Sequence, residues 1–115
     1  MKSGLVIDPI DGTKRWYRNG RCHREDGPAI EYADGKSFSW FVNGRLHCTD
    51  GPAFVGIEST EYWVLNKLHR FDGPAVIHQN GDVEYYINNS HIKVSSLDEF
   101  LEYSRNWQVK QVLET

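Results

Sequence analysis

The chain of 115 residues has the length of one domain, and its 39% hydrophobic and 13% aromatic content is that of a folded protein rather than a disordered tail. A net charge of −3 disfavours a general binder of nucleic acids or of anionic membranes. No apolar run approaches the length of a membrane span, and the first run, Leu5-Val6-Ile7, is too short for the core of a signal peptide. These features predict a cytoplasmic protein that does not bind membranes.

One pattern of aromatic and turn-forming residues occurs three times. Each copy has two aromatic residues, an Asn-Gly or related pair, a histidine, and Asp-Gly-Pro-Ala three residues after that histidine. The copies begin at Trp16, Trp40 and Tyr62, and a fourth opens at Tyr85 and then diverges, so the spacings are 24, 22 and 23 residues. Residues that recur in every unit of an array usually build the unit. The predicted units lie near 13–35, 36–58 and 59–81, with a partial unit at 82–93.

Two turn signals in each unit predict the architecture. Asn19-Gly20 and Asn43-Gly44 lie among aromatic and β-branched residues, and Asn-Gly favours the type I′ turn of a β-hairpin. Asp34-Gly35 and Asn80-Gly81 mark a second turn half a unit later. Two turns imply two strands per unit, which predicts a mainly β fold: an antiparallel meander of about eight strands. In the third unit Leu65-Asn66 replaces Asn-Gly, and we expect Asn66→Gly to be neutral or mildly stabilising because glycine adopts left-handed geometry more readily than asparagine.

The Asp-Gly-Pro-Ala element lies inside the second strand of each unit. Proline lacks an amide donor and glycine tolerates unusual backbone angles, so a bulge or break in the strand is predicted there. We expect Asp26, Asp50 and Asp72 to accept hydrogen bonds from the backbone amides that such a break frees.

A helix is predicted after the repeats, from about residue 96 to 106. Ser96 and Glu99 have the spacing of a capping box, and acidic residues stand in the first turn. Three apolar residues share one face of that helix: Leu97, Phe100 and Leu101.

These elements divide the chain into two predicted segments. Residues 1–94 form the repeat sheet, and residues 95–115 form a helix and tail that pack on it. Trp107-Gln108-Val109-Lys110 alternates apolar and polar residues, so the tail could continue the helix or form a short strand.

The repeated pattern resembles MORN repeats, which are β-hairpin units of similar length. It is closest to the variant Trp-Tyr-x-Asn-Gly-Lys-Leu-His-Arg-Glu-Asp-Gly-Pro-Ala, found in small proteins of tailed phages and large DNA viruses. The resemblance covers about residues 5–92. It implies a scaffold or interaction module and does not imply a specific activity. The fourth unit, where Asn88-Asn89-Ser90-His91 lacks the Asp-Gly-Pro-Ala sequel, resembles a terminal cap.

The two adjacent aromatic residues of each unit should point to opposite faces of the sheet. The first face is apolar, and we assign it to the core beneath the helix. It carries Trp16, Trp40, Tyr62 and Tyr85, flanked by Phe38, Val42, Val64, Val83 and Ile87. The second face is an aromatic stripe in a polar frame, which is typical of a protein interface. Its predicted binding residues are Tyr17, Phe41, Trp63, Tyr86, Arg15, Glu61 and Glu84. The alternative is that this stripe only packs across strands.

The three His-x-x-Asp pairs are the strongest candidates for metal or acid–base chemistry. Equivalent residues of a two-strand repeat lie about 9.6 Å apart, whereas zinc ligands lie about 2.0–2.2 Å from their ion. The histidines His23, His47 and His69 therefore cannot share a metal. We expect each imidazole to bond to neighbouring turn groups, its own aspartate being one alternative.

No nucleophile elbow or P-loop occurs, and neither cysteine has a nucleophile context. We predict that Cys22 and Cys48 are reduced thiols and that the chain is not an enzyme and uses no cofactor or metal.

The predicted function is a non-catalytic protein-binding module. The viral resemblance implies a small inhibitor or adaptor of a host protein, acting in the host cytoplasm. One alternative is a metal-dependent hydrolase or nuclease that uses histidine and aspartate. Another is a single-strand nucleic-acid binder, with Trp16 or Tyr17 of the basic first unit stacking on bases. Assembly with identical chains also remains open.

Overall fold

The computed structural model describes residues 2–114 and is mainly β. Met1 and Thr115, the outer ends of the two predicted segments, lie outside the described residues. The strands are β1 (Gly4–Ile7), β2 (Lys14–Arg18), β3 (Arg21–Cys22), β4 (Ile30–Glu31), β5 (Phe38–Ser39), β6 (Phe41–Val42), β7 (Arg45–Leu46), β8 (Phe54–Val55), β9 (Ser59–Glu61), β10 (Trp63–Val64), β11 (Lys67–Leu68), β12 (Val76–His78), β13 (Val83–Ile87) and β14 (Ser90–Ile92). One helix, α1 (Leu97–Leu113), follows them.

The main sheet is an antiparallel meander, which confirms the predicted fold class. Its order is β1-β2-β4-β5-β8-β9-β12-β13-β14, and β3 pairs with β2 beside this path. Two further hairpins, β6–β7 and β10–β11, form separate two-stranded pairs. The strands are shorter and more numerous than predicted, because each unit interrupts its pairing at two points.

The first interruption lies at the leading aromatic residue of each unit. The Trp40 amide donates to the Ala53 carbonyl in the main sheet at 2.7 Å, and the Trp40 carbonyl accepts from the His47 amide in its own hairpin at 3.1 Å. Trp16 and Tyr62 make the same two bonds. The strand therefore changes partners at this residue, passing from the meander into a short hairpin.

The second interruption is the segment from the histidine to the proline, which leaves the sheet between β3 and β4 and at the equivalent points of the next two units. The break predicted at Asp-Gly-Pro is thus present, and the chain rejoins the meander at the alanine.

Aromatic rings and alanines alternate across the main sheet on the first face. Extending each strand register by one residue places Ala29 between Trp16 and Trp40, and Ala53 between Trp40 and Tyr62. The third alanine lies between Tyr62 and Tyr85 in the same way. The alanines Ala29, Ala53 and Ala75 are each 0% exposed. A small side chain is required there because the rings on both sides fill the surrounding space.

The Asn-Gly turns have the predicted type I′ backbone. Both central residues have positive φ in all four units, for example 49° at Asn43 and 80° at Gly44. The third unit keeps this geometry with Leu65 at 46° and Asn66 at 66°. The expectation for Asn66→Gly did not include one contact, in which the Asn66 side-chain oxygen accepts a 2.8 Å hydrogen bond from the Leu46 amide. A glycine would remove that bond, which is worth about 1 kcal/mol.

The C-terminal helix is longer than predicted, and it includes the segment that could have been a strand. Ser96 caps it by accepting from the Glu99 amide at 3.1 Å. The Glu99 carboxylate accepts from Ser95 rather than returning to Ser96, so only half of the predicted capping box forms as expected. Of the three apolar residues that share one helix face, Phe100 is fully buried whereas Leu97 is 45% exposed.

The helix packs on the fourth unit. Phe100, which is fully buried, stacks on Tyr85 with 4.6 Å between ring centroids, and Ile87 completes this cluster. Ser104 donates to the Phe71 carbonyl at 2.8 Å, and Trp107 lies 5.5 Å from the Phe71 ring. The first face is therefore the core face beneath the helix at this end of the sheet.

The helix covers only part of the first face. The 17 residues of α1 span about 25 Å, whereas the described chain extends over 48 Å. Trp16, Trp40 and Tyr62 remain half-buried, in contrast to Tyr85.

We predict that Leu65→Asn stabilises the protein by roughly 0.5–1.5 kcal/mol. A leucine at positive φ is strained, whereas asparagine tolerates this conformation, and the 47% exposed Leu65 side chain contributes little packing. Chemical denaturation measures the change. The matched control is the reverse substitution at the equivalent position, Asn43→Leu, which should be destabilising. An unchanged or lower stability of Leu65→Asn would contradict the strain argument.

Candidate functional site on the two faces of the sheet

The repeated histidines link each unit to the next. The ring nitrogen Nδ1 of His23 accepts from the Asn43 amide at 2.9 Å, that of His47 from Leu65 at 3.1 Å, and that of His69 from Asn88 at 3.0 Å. Each acceptor bond reaches the first turn residue of the following hairpin. The expectation of bonding to turn groups is correct, and the partner is the next unit's backbone rather than the histidine's own aspartate.

The repeated aspartates orient side chains two residues earlier, which corrects the expectation that they bind backbone amides. Asp26 accepts from Arg24 Nε at 2.9 Å, and Asp72 accepts from Arg70 Nε at 2.8 Å. In the second unit Asp50 accepts from the thiol of Cys48 at 3.1 Å.

Two arginines cover aromatic rings of the first face, and neither is among the residues predicted to form a site. The guanidinium carbon of Arg24 lies 3.9 Å from the centroid of the Trp16 ring, and that of Arg70 lies 4.0 Å from the Tyr62 centroid. Such stacking is a cation–π contact. The available signal was the recurrence of Arg-x-Asp at the same position in the first and third units.

Two open cavities lie on the first face between successive Asp-Gly-Pro segments. One, of about 650 Å³, is lined by Trp40, Val42 and Asp50 among others. The next, of about 450 Å³, is lined by Tyr62, Val64 and Phe71 among others.

The predicted binding stripe is present on the second face, which is opposite the helix. Tyr17, Phe41, Trp63 and Tyr86 are all half-buried. Each ring pairs across its own hairpin with one smaller residue. These partners are Cys22, Leu46, Leu68 and His91. Cross-strand packing therefore accompanies the stripe, and the two leucines extend its apolar surface. Their fixed distance from the ring across the Asn-Gly turn was the signal that could have identified them.

Carboxylates hold two of these rings in place. Trp63 Nε1 donates to Glu61 at 2.9 Å, and the Tyr86 hydroxyl donates to Glu84 at 3.1 Å. His78 Nε2 contacts the other oxygen of Glu84. This His78 hydrogen bond holds the pKa of Glu84 below its usual value, so the carboxylate is ionised at neutral pH. Burial, followed by the Glu84 contact, raises the pKa of Tyr86.

The frame around the stripe is less polar than expected. Strand registers place Arg15, Ser39, Glu61 and Glu84 in one row across the sheet. Apolar residues alternate with them in that row: Ile30, Phe54 and Val76. Ile30 and Val76 are buried, so the centre of the second face also serves as core.

Three of the four arginines of the basic first unit form ion pairs within the chain. Arg15 contacts Asp8 at 3.8 Å, Arg18 contacts Glu25 at 3.4 Å, and Arg24 also reaches Glu31 at 3.1 Å. These pairs offset the local positive charge that a nucleic-acid site would use.

The cysteines are free thiols, and burial raises the pKa of both. A raised pKa lowers the thiolate fraction, which makes both groups poor nucleophiles near neutral pH. Among residues 2–114, no group of three or more His, Cys, Asp or Glu side chains is arranged to hold one metal ion.

The described part of the chain contains no helix with the length and apolar character needed to cross a bilayer. In comparisons with known proteins, no family model, curated protein or solved structure gives a significant match to this chain.

We predict that acid weakens the link between the third and fourth units, which His69 makes. Protonation would place a hydrogen on the Nδ1 acceptor of His69, and burial lowers the pKa of this histidine below 6.5. Between that lowered pKa and about 6.5 the unfolded chain binds more protons than the folded chain, so stability should fall as the pH falls through this window. His69→Gln should lose about 1 kcal/mol at pH 7.5 and show a smaller further loss at pH 5.5 than the parent.

Denaturation midpoints at the two pH values measure this effect. The control is His91→Gln, because His91 is exposed and stacks on Tyr86 without accepting a turn amide. An equal pH dependence in His69→Gln and the parent would contradict the role of His69.

Proposed function

We propose that this chain is a non-catalytic module that binds another protein through the second face. The observation that carries the proposal is the stripe of half-buried rings on the face that bears no helix. Aromatic residues are the usual anchors of protein interfaces, because they contribute large contact areas with few rotatable bonds.

The stripe is arranged for binding before a partner arrives. Glu61 and Glu84 fix the orientations of Trp63 and Tyr86, and His91 stacks on Tyr86 at 5.0 Å. Ordering these rings in advance lowers the entropic cost of association. Arg15, Glu61 and Glu84 flank the stripe with both signs of charge, which would orient a partner.

The resemblance to MORN-like proteins of phages and large viruses supports the same conclusion. It favours a small inhibitor or adaptor that acts on a host protein in the host cytoplasm.

A hydrolase that uses the repeated histidines and aspartates receives less support. His23, His47 and His69 each use one ring nitrogen to accept a backbone amide, and Asp26 and Asp72 are engaged by arginines. A general base or metal ligand would have to break these contacts.

We predict that Phe41→Ala and Trp63→Ala leave the protein folded, with losses on the cross-strand scale of about 0.2–1 kcal/mol. If the stripe is the interface, each change should weaken partner binding by about 2 kcal/mol or more, which is roughly 30-fold. Affinity purification from the host lysate supplies the partner. Thermal denaturation and titration calorimetry with that partner then measure both effects.

The control for this experiment is Val83→Ala, which removes a 41% exposed apolar side chain from the opposite face. Full binding by Phe41→Ala and Trp63→Ala, or an equal loss in Val83→Ala, would show that the stripe is not the interface.

A further inference from the structure

The second unit contains a binding position for a guanidinium group that no arginine among residues 2–114 occupies. In the first and third units, three groups hold the guanidinium: an aromatic ring, an aspartate and a proline carbonyl. Arg24 stacks on Trp16, donates to Asp26 and donates to the Pro28 carbonyl at 3.2 Å. Arg70 repeats the arrangement on Tyr62 and Asp72, and its bond to the Pro74 carbonyl is 3.1 Å.

The second unit retains the three holding groups as Trp40, Asp50 and Pro52. Cys48 stands where the other units have arginine, and its short side chain cannot reach across the ring. Its thiol nevertheless contacts Asp50 Oδ1 at 3.1 Å, which is the oxygen that accepts from arginine in the other two units. Within residues 2–114, no cation stacks on Trp40.

The neighbouring glycines show that this space is open. A methyl group built on Gly27 would meet the guanidinium carbon of Arg24 at 3.1 Å, and one on Gly73 would meet that of Arg70 at 3.0 Å. The same methyl group on Gly51 would meet nothing within 4 Å. The volume that a guanidinium occupies in the other units is therefore free in the second unit. It borders both open cavities: Gly51 lines the one of about 450 Å³, and Trp40, Cys48 and Asp50 line the one of about 650 Å³.

The charges around this cavity favour a cation. Its lining includes the carboxylates of Glu25, Asp26 and Asp50 against the single guanidinium of Arg24, which is already paired with Asp26 and Glu31. An arriving positive group would find Asp50 unpaired with any basic side chain of residues 2–114.

We propose that Trp40, Asp50 and the Pro52 carbonyl bind the arginine side chain of a partner protein, in the geometry that Arg24 and Arg70 adopt within this chain. The planar guanidinium can stack on the ring while it donates to the carboxylate and the carbonyl together, which the compact ammonium of lysine cannot do. The site lies on the face opposite the aromatic stripe. It is therefore independent of the interface proposed above, and either proposal can be wrong without affecting the other.

The test uses Nα-acetyl-L-arginine amide as the probe and follows the four tryptophan indole N–H signals of the full chain by NMR. Trp40→Phe identifies the Trp40 signal. We expect a saturable shift of that signal, with an affinity at least about fivefold higher for the arginine amide than for the corresponding lysine and citrulline amides. Equal responses to the three amides, or no saturable shift at Trp40, would overturn the proposal.

Two variants block the site without removing its holding groups. Cys48→Arg supplies the chain's own guanidinium, so it should abolish the saturable shift and raise the thermal midpoint. Gly51→Ala puts a methyl group into the open space and should weaken binding about tenfold, with little change in the thermal midpoint. The matched control is Cys48→Ser, which leaves the space open and should bind as the parent does. Undiminished binding by Cys48→Arg would overturn the proposed geometry.

Sedimentation of the parent and of Cys48→Arg at high concentration distinguishes the source of the arginine. A monomeric parent supports a different protein as the occupant. Dimerisation that Cys48→Arg abolishes would overturn that assignment, because the occupant would then be a second copy of this chain.

Discussion

The row in which rings and alanines alternate is the constraint on which the rest of the structure depends. At each leading aromatic residue the backbone donates to an alanine of the meander and accepts from a histidine amide of its own hairpin. The strand registers place each alanine beside two of these rings, and all three alanines are completely buried. A larger side chain in place of an alanine would displace the neighbouring rings. A smaller side chain in place of an aromatic residue would expose the backbone at the point where the strand changes partners.

Coupling between units depends on a second recurrent contact, the bond from a turn amide to the histidine of the preceding unit. Because each bond joins only adjacent hairpins, stability should behave as a sum over neighbouring pairs, as in other repeat arrays. At the end of the array, Ile92 occupies the position that histidine has in the other three units, and it packs against the cluster beneath the helix. The helix thus closes the end of the repeat array by covering Tyr85 and Ile87.

Two positions at which a unit departs from the repeated pattern change the local structure. Leu65 introduces strain into one turn, and Cys48 leaves one ring without the guanidinium that covers its counterparts. The two faces then differ in what they offer. The second face presents rings fixed by carboxylates, while the first face presents an open, acidic cavity over Trp40. Because the two proposed sites lie on opposite faces, they do not overlap.

The sequence by itself determined the features that depend on local chemistry. Asn-Gly pairs imposed the type I′ turns, Ser96 set the start of the helix, and the spacing of the aromatic residues separated the two faces. The sequence did not identify the hydrogen-bond partners that lie in other units. The amides that reach His23, His47 and His69 come from turns 18 to 20 residues away, and only the stacking of the hairpins brings them together.

Tertiary structure also decided the extent of burial. Alternation in sequence assigns residues to a face, but it does not say how much of that face a neighbour covers. Leu97 therefore proved exposed on a helix that buries Phe100, while Ile30 and Val76 proved buried on the face expected to be polar. The sequence shows that one position of the repeat holds Arg24, Cys48 and Arg70 in the three units. Only the folded structure shows that the guanidinium groups of Arg24 and Arg70 lie on aromatic rings. The physical reason is that these contacts join residues through packing and not through the local preferences of the backbone.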